Sequence, residues 1–168
     1  MAGWAGPVEL ANAEATEALG AALAARLVPT TLLLLEGPLG AGKTTLVRGV
    51  VGGLGGDPKE VCSPTFTLQA VYPVPAGRIR RVHHLDLYRL RGLPRAPWEE
   101  LGIVESLEDP AGVTAIEWPE EWPWLAEAGQ WVLRVQLSLF GEGRRASVVW
   151  LTAPPHEPGT GGSAELSA

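Results

Sequence analysis

Cysteine is almost missing from these 168 residues: Cys62 stands alone, so no intrachain disulfide can form. The expected compartment is the reducing cytoplasm. Lysine is nearly as scarce, with Lys43 and Lys59 the only two among thirteen basic residues. Positive charge is short altogether, the formal net charge being -6. A protein that grips nucleic acid unaided carries a basic field, so any RNA contact is expected to run through another subunit. Long apolar runs are lacking too. LLLL at Leu32–Leu35 is far too short to cross a bilayer. Met1–Pro7 has no apolar stretch of the signal-peptide kind, and the first basic side chain is Arg26. No membrane contact is expected.

What is present fits one globular unit. Hydrophobic residues make up 46% and charged residues 19% of the chain, enough apolar material for a single core. That unit is expected over 1–152. The segment 153–168, with PPHEPGTGGSAELSA from Pro154, has the Pro, Gly and Ser content of a flexible tail.

Ala11–Leu27 is rich in Ala, Leu and Glu, which predicts a first helix capped by Asn12 and stopped by Pro29. TTLLLLE ending at Glu36 is short and apolar throughout, as a strand covered on both faces is. Leu46, Val47, Val50, Val51 and Leu54 then recur at helical spacing up to Gly55-Gly56. Thr65–Tyr72 and Arg78–Leu90 read as strands with PVPAG turning between them, Arg91–Pro97 as loop, and Trp98–Leu107 as a short helix. Val113–Glu117 is another buried-strand pattern, and WVLRVQLSL with RRASVVWL, joined by FGEG, has the pattern of a β-hairpin.

Between the first strand and the second helix lies Gly37-Pro38-Leu39-Gly40-Ala41-Gly42-Lys43-Thr44, a full match to G-x-x-x-x-G-K-[ST]. Such a loop curls so that its backbone N–H groups surround phosphate oxygens, and the helix behind it presents its positive end. Lys43 reaches the β- and γ-phosphates, and Thr44 offers a hydroxyl to Mg²⁺. Guanine-selective proteins use an Asn-Lys-x-Asp motif. The only other lysine, Lys59 in DPKEVC, has neither partner, so ATP is favoured over GTP.

Phosphoryl transfer also needs a carboxylate at a strand end to hold Mg²⁺ directly or through water. Asp86 in VHHLDLYRL and Glu117 at the end of VTAIE both qualify, and spacing does not choose between them. Thr65 and Thr67 read as strand residues by preference, with a γ-phosphate-sensing switch loop as the alternative for SPTFTL. His83 and His84 read as structural imidazoles, Cys62 lacks ligand-spaced neighbours, and Trp118 reads as core. Trp122 and Trp124 fit either a core or a partner-facing surface.

GPLGAGKTTLVRG, SPTFTL, HLDLYRL, EELGI and IEWPE follow one another in this chain in an order that resembles the TsaE family, formerly YjeE. The resemblance implies an α/β fold of the P-loop NTPase type, three-layered α/β/α with a mainly parallel central sheet, here with the C-terminal antiparallel hairpin. It implies a slow Mg²⁺-dependent ATPase of the bacterial tRNA N6-threonylcarbamoyladenosine machinery. The implied partner is the TsaB–TsaD heterodimer, with tRNA met through that complex. Lys43, Asp86 and Glu117 carry the chemistry in that reading, with Thr44, Asp86 and Glu117 toward the metal. Pro38, Leu39, Gly40, Ala41, Gly42, Lys43, Thr44 and Thr45 line the nucleotide, joined by Thr65 in the switch-like loop and Trp118 beside Glu117. The family commonly has an acidic or polar residue where Pro38 stands.

Two rival readings remain at this stage. One is a small-molecule P-loop kinase, with Arg89, Arg91 and Arg95 forming a lid over transferring phosphate; the bland reading of those arginines is a solvated loop. The other is a nucleotide-binding interaction module without hydrolysis.

Overall fold

Asn12 starts the first helix as its sequence predicts: its side-chain oxygen accepts the Ala15 N–H at 2.8 Å. The structure is a computed structural model describing residues 6–75, 77–93 and 98–155. Most of the expected tail, Arg95 of the arginine loop and Ala76 of the expected turn therefore lie outside the described residues.

The elements run β1 (Val8–Leu10), α1 (Ala13–Ala24), β2 (Thr31–Glu36), α2 (Lys43–Gly53), β3 (Gln69–Pro73), β4 (Arg81–Asp86), α3 (Ile103–Glu108), β5 (Gly112–Glu117), α4 (Leu125–Ala128), β6 (Trp131–Phe140) and β7 (Gly143–Thr152). Seven strands form one sheet in the order β1-β7-β6-β2-β5-β4-β3. Strand β2 is buried from Thr31 to Leu35, and its side chains alternate between two cores. Leu33 and Leu35 join Leu19, Leu23, Leu46 and Val50 of α1 and α2. Leu32 and Leu34 join Leu87, Ile103, Trp122 and Leu125 on the other face. An all-apolar strand thus has a helical layer to satisfy on each side.

The sheet is mixed rather than mainly parallel. β6, β2, β5 and β4 are joined by parallel ladders, whereas β3 on β4, β7 on β6 and β1 on β7 are antiparallel. The reason is connection length: the links after β3 and β6 are too short for a parallel crossover. Phe140 pairs with Gly143, so only Gly141 and Glu142 turn the last hairpin. β1 has no counterpart in the sequence reading; three residues carry too little pattern to announce an edge strand.

Two further expectations shift. The strand predicted from Thr65 begins only at Gln69, because Leu68 takes a left-handed φ of 65° and donates its N–H to the Pro64 carbonyl at 2.6 Å, closing a turn. The helix predicted from Trp98 begins at Ile103 after a turn that returns the Ile103 N–H to the Trp98 carbonyl at 3.0 Å.

Candidate functional site

The carboxyl ends of β2, β4 and β5 meet at one edge of the sheet, the usual place for a ligand in α/β folds. A cleft of about 350 Å³ opens there, lined by the glycine loop, the start of α2, the Ser63–Thr65 turn, Asp86, Glu117, Trp118 and Arg144.

The loop from Gly37 to Gly42 is held from both ends. Gly37 has a φ of 139°, and a Cβ placed there would collide with the Leu137 carbonyl oxygen of β6. Within the loop the Ala41 N–H donates to the Pro38 carbonyl at 3.1 Å, and α2 begins immediately after Gly42. Lys43 folds back over this loop, its ammonium donating to the Gly37 and Pro38 carbonyls at 2.6 and 3.0 Å. Its Nζ lies 3.7 Å from the centre of the Trp118 ring, a cation–π contact. Burial pulls the Lys43 pKa below its ordinary value, against the opposing pull of Glu117, Glu120 and Asp86.

The two acids that spacing left as alternatives both reach the cleft. Asp86 ends β4 and Glu117 ends β5, and they are register partners in the parallel ladder. Glu117 Oε1 accepts the Thr44 hydroxyl at 2.7 Å and a ring nitrogen of buried His84 at 2.8 Å. Asp86 Oδ2 accepts from Thr65 at 2.5 Å and from Ser63 at 3.2 Å, while its Oδ1 accepts the Tyr88 N–H at 3.0 Å. Thr65 therefore belongs to a turn that caps Asp86; the strand preference of threonine is overridden by that carboxylate.

Of the remaining expected residues, Leu39, Gly40, Gly42 and Thr45 line the cleft. Ala41 is fully buried behind the loop, and exposed Pro38 contributes its carbonyl to Lys43. Trp118 is half-buried: it packs against the second core, as its residue type indicated, and also lines the cleft, with a left-handed φ of 62° just after β5. Trp122 is buried and Trp124 is 45% exposed. His83 is structural, 2.7 Å from Asp109.

Three cleft residues had no place in the sequence reading. Ser63 and Tyr88 sit inside quoted motifs but are ordinary by type. Arg144 gave no local signal: it comes from β7, donates to the Gly40 carbonyl at 3.2 Å and lays its stem against Gly42. Two of the three arginines weighed as a lid, Arg89 and Arg91, are among the described residues, and both have other contacts. Arg91 pairs with Glu121 at 3.1 Å and lies over the Tyr88 and Trp118 rings, and Arg89 lies 5.7 Å from the Phe66 ring.

A family model described as "Threonylcarbamoyl adenosine biosynthesis protein TsaE" matches residues 10–146, a span that includes every cleft residue. The chain belongs to the TsaE family. A TsaE protein of Synechocystis is 43% identical over 69% of this chain and 71% of its own length. One from Nostoc is 40% identical over 83% and 82%, and one from Treponema pallidum 34% over 82% and 95%. All three bear the name "tRNA threonylcarbamoyladenosine biosynthesis protein TsaE". Among solved structures, Bacillus subtilis YdiB superimposes with a TM-score of 0.62 at 25% identity, covering 90% of this chain and 88% of that one. Among the described residues no helix is long and apolar enough to cross a membrane.

Proposed function

We propose that the chain is the Mg²⁺-dependent ATPase subunit of the tRNA N6-threonylcarbamoyladenosine machinery, working in the cytoplasm with the TsaB–TsaD heterodimer. One observation carries the reading. A G-x-x-x-x-G-K-[ST] loop, its lysine and threonine, and two strand-end carboxylates converge on one cleft of about 350 Å³. The names of the relatives support the pathway.

The donor set suits a hard divalent cation. Thr44 and Glu117 already share a hydrogen bond, and Asp86 stands beside Glu117, so hydroxyl and carboxylate oxygens gather without soft ligands. Thr44, Asp86 and Glu117 would hold Mg²⁺ directly or through water. Bound there, the ion neutralises charge on the β- and γ-phosphates. The chain's own groups do the rest. The loop N–H groups and Lys43 bind the phosphates, exchanging the Gly37 and Pro38 carbonyls for phosphate oxygens. Glu117 orients the attacking water and takes up its proton as oxygen bonds to the γ-phosphorus and ADP leaves. The Ser63–Thr65 turn, resting on Asp86, is placed to register whether a γ-phosphate is present.

Unassisted hydrolysis on such a site runs at about 10⁻⁴ s⁻¹ in the slowest cases, and a supplied arginine is worth about 10³–10⁵-fold. The partner complex is proposed to complete the site, with hydrolysis resetting the assembly and tRNA contacted through the complex. The test is ATP turnover by the isolated chain and after adding purified TsaB–TsaD, with a pull-down of the heterodimer with and without ATP. Nucleotide-dependent capture and faster phosphate release support the reading; neither effect, or transfer of phosphate to a small alcohol or nucleoside, sinks it.

A further inference from the structure

His84 is fully buried on β4, and nothing in the chemistry above uses it. Its two ring nitrogens face opposite ways. Nε2 lies 2.8 Å from Glu117 Oε1, which already accepts the Thr44 hydroxyl at 2.7 Å. Two donors therefore converge on one carboxylate oxygen, and the histidine nitrogen there carries its proton. Among the described residues no side-chain hydrogen bond reaches the other oxygen, Oε2, of this cleft-lining acid.

On its far side, His84 Nδ1 lies 3.5 Å from the hydroxyl of Tyr72, which donates to the Cys62 carbonyl at 3.1 Å. Burial raises the pKa of that phenol, so it stays a neutral hydroxyl and a donor. Cys62 opens the turn whose Ser63 and Thr65 hold Asp86. The phenol has one proton and spends it on Cys62, so its oxygen flanks Nδ1 without donating to it, and the directed polar contact of His84 is the one to Glu117. A histidine serving only as packing on β4 requires none of these contacts.

We propose that His84 is a positioning residue for the nucleotide chemistry: it pins Oε1 of Glu117 and leaves Oε2 as the working oxygen. This rests on the ATPase reading. An imidazole suits the task because a rigid, fully buried ring holds its N–H in one place, whereas an acid held by a single donor samples several orientations. Misplacing a reacting group by about an ångström lowers rate by about 10²-fold.

The experiment measures kcat, MgATP dissociation constant and Tm for wild type, His84→Phe and His84→Gln, each full chain with TsaB–TsaD. His84→Phe should lower kcat about 10²-fold while leaving MgATP affinity near wild type. His84→Gln, whose amide N–H can reach toward Oε1, should recover about tenfold of that loss. Unchanged kcat in His84→Phe, or kcat and affinity falling together without rescue by glutamine, overturns the proposal. Should His84→Phe fail to fold, ¹⁵N NMR of the wild-type histidines decides, since the chain has only three. A slowly exchanging proton on His84 Nε2 is expected, and a proton on Nδ1 alone refutes it. Wild type that hydrolyses no ATP, with or without partners, sinks the ATPase reading and this proposal together. Active wild type with an indifferent His84→Phe sinks this proposal alone.

Discussion

Asp86 and Glu117 are register partners at the ends of two neighbouring parallel strands, and their attachments differ. Asp86 is gripped by the Ser63–Thr65 turn, and Glu117 by Thr44 and His84. The residues that spacing offered as alternatives are thus attached differently: one to the Ser63–Thr65 turn, the other to the start of α2 and to β4.

That difference predicts separable variants. Glu117→Gln should retain MgATP binding while turnover falls about 10²–10⁴-fold, the range for a removed general base. Asp86→Asn should chiefly reduce the gain in ATP affinity that Mg²⁺ confers. Titration calorimetry with Mg²⁺ and with chelator checks both; an Mg²⁺ effect of wild-type size in Asp86→Asn would remove that residue from the metal site.

Lys43→Ala should weaken ATP binding at least about tenfold, since one charge-assisted contact is worth about 1.5–3 kcal/mol. Equal affinity by calorimetry would contradict a role on phosphate.

Arg144→Ala should lower ATP affinity a few-fold with little change in Tm. Its guanidinium already sits on the Gly40 carbonyl at the cleft wall, and a partly exposed pair is worth about 1 kcal/mol or less. An unchanged dissociation constant would show that it merely braces the loop.

Gly37→Ala should destabilise the fold by about 3 kcal/mol, because a methyl group would meet the Leu137 carbonyl and φ is 139°. Gly40→Ala, with φ 78° but open space around its Cβ position, should lose only about 1 kcal/mol. Urea unfolding of the two variants tests the difference; similar losses would mean that crowding at position 37 is relieved by movement of β6.

Asp109 supplies a pH prediction away from the site. Hydrogen bonds from Arg81 hold its carboxyl well below the usual carboxylate range, with His83 and the Ala111 N–H adding to the effect against the opposing pull of burial. A depressed folded pKa gives stability that is complete above the unfolded value, near 4, and is lost as pH falls below it. Asp109→Asn should therefore lower Tm at pH 7, and the gap to wild type should narrow steadily from pH 5 to pH 2. A constant gap across that range would show that the charge is not the source.

Local chemistry made the glycine loop legible. Thr31–Glu36 is an apolar run bounded by turns, Gly37–Thr44 carries its pattern in eight consecutive residues, and α2 has a helical period of its own. Asn12 as a helix cap and the Gly141-Glu142 hairpin turn were legible for the same reason. Each of these depends on neighbours a few positions away.

What only the tertiary structure decided depends on strands and turns far apart in the chain. Ladder direction made the sheet mixed and set Asp86 beside Glu117. Asp86 drew Thr65 into a turn against its strand preference, and the final hairpin carried Arg144 to a loop about a hundred positions earlier. Short-range patterns record backbone preference and burial, which each segment satisfies alone. A cleft assembled from several strand ends is a property of their pairing, and pairing is settled only when the whole sheet forms.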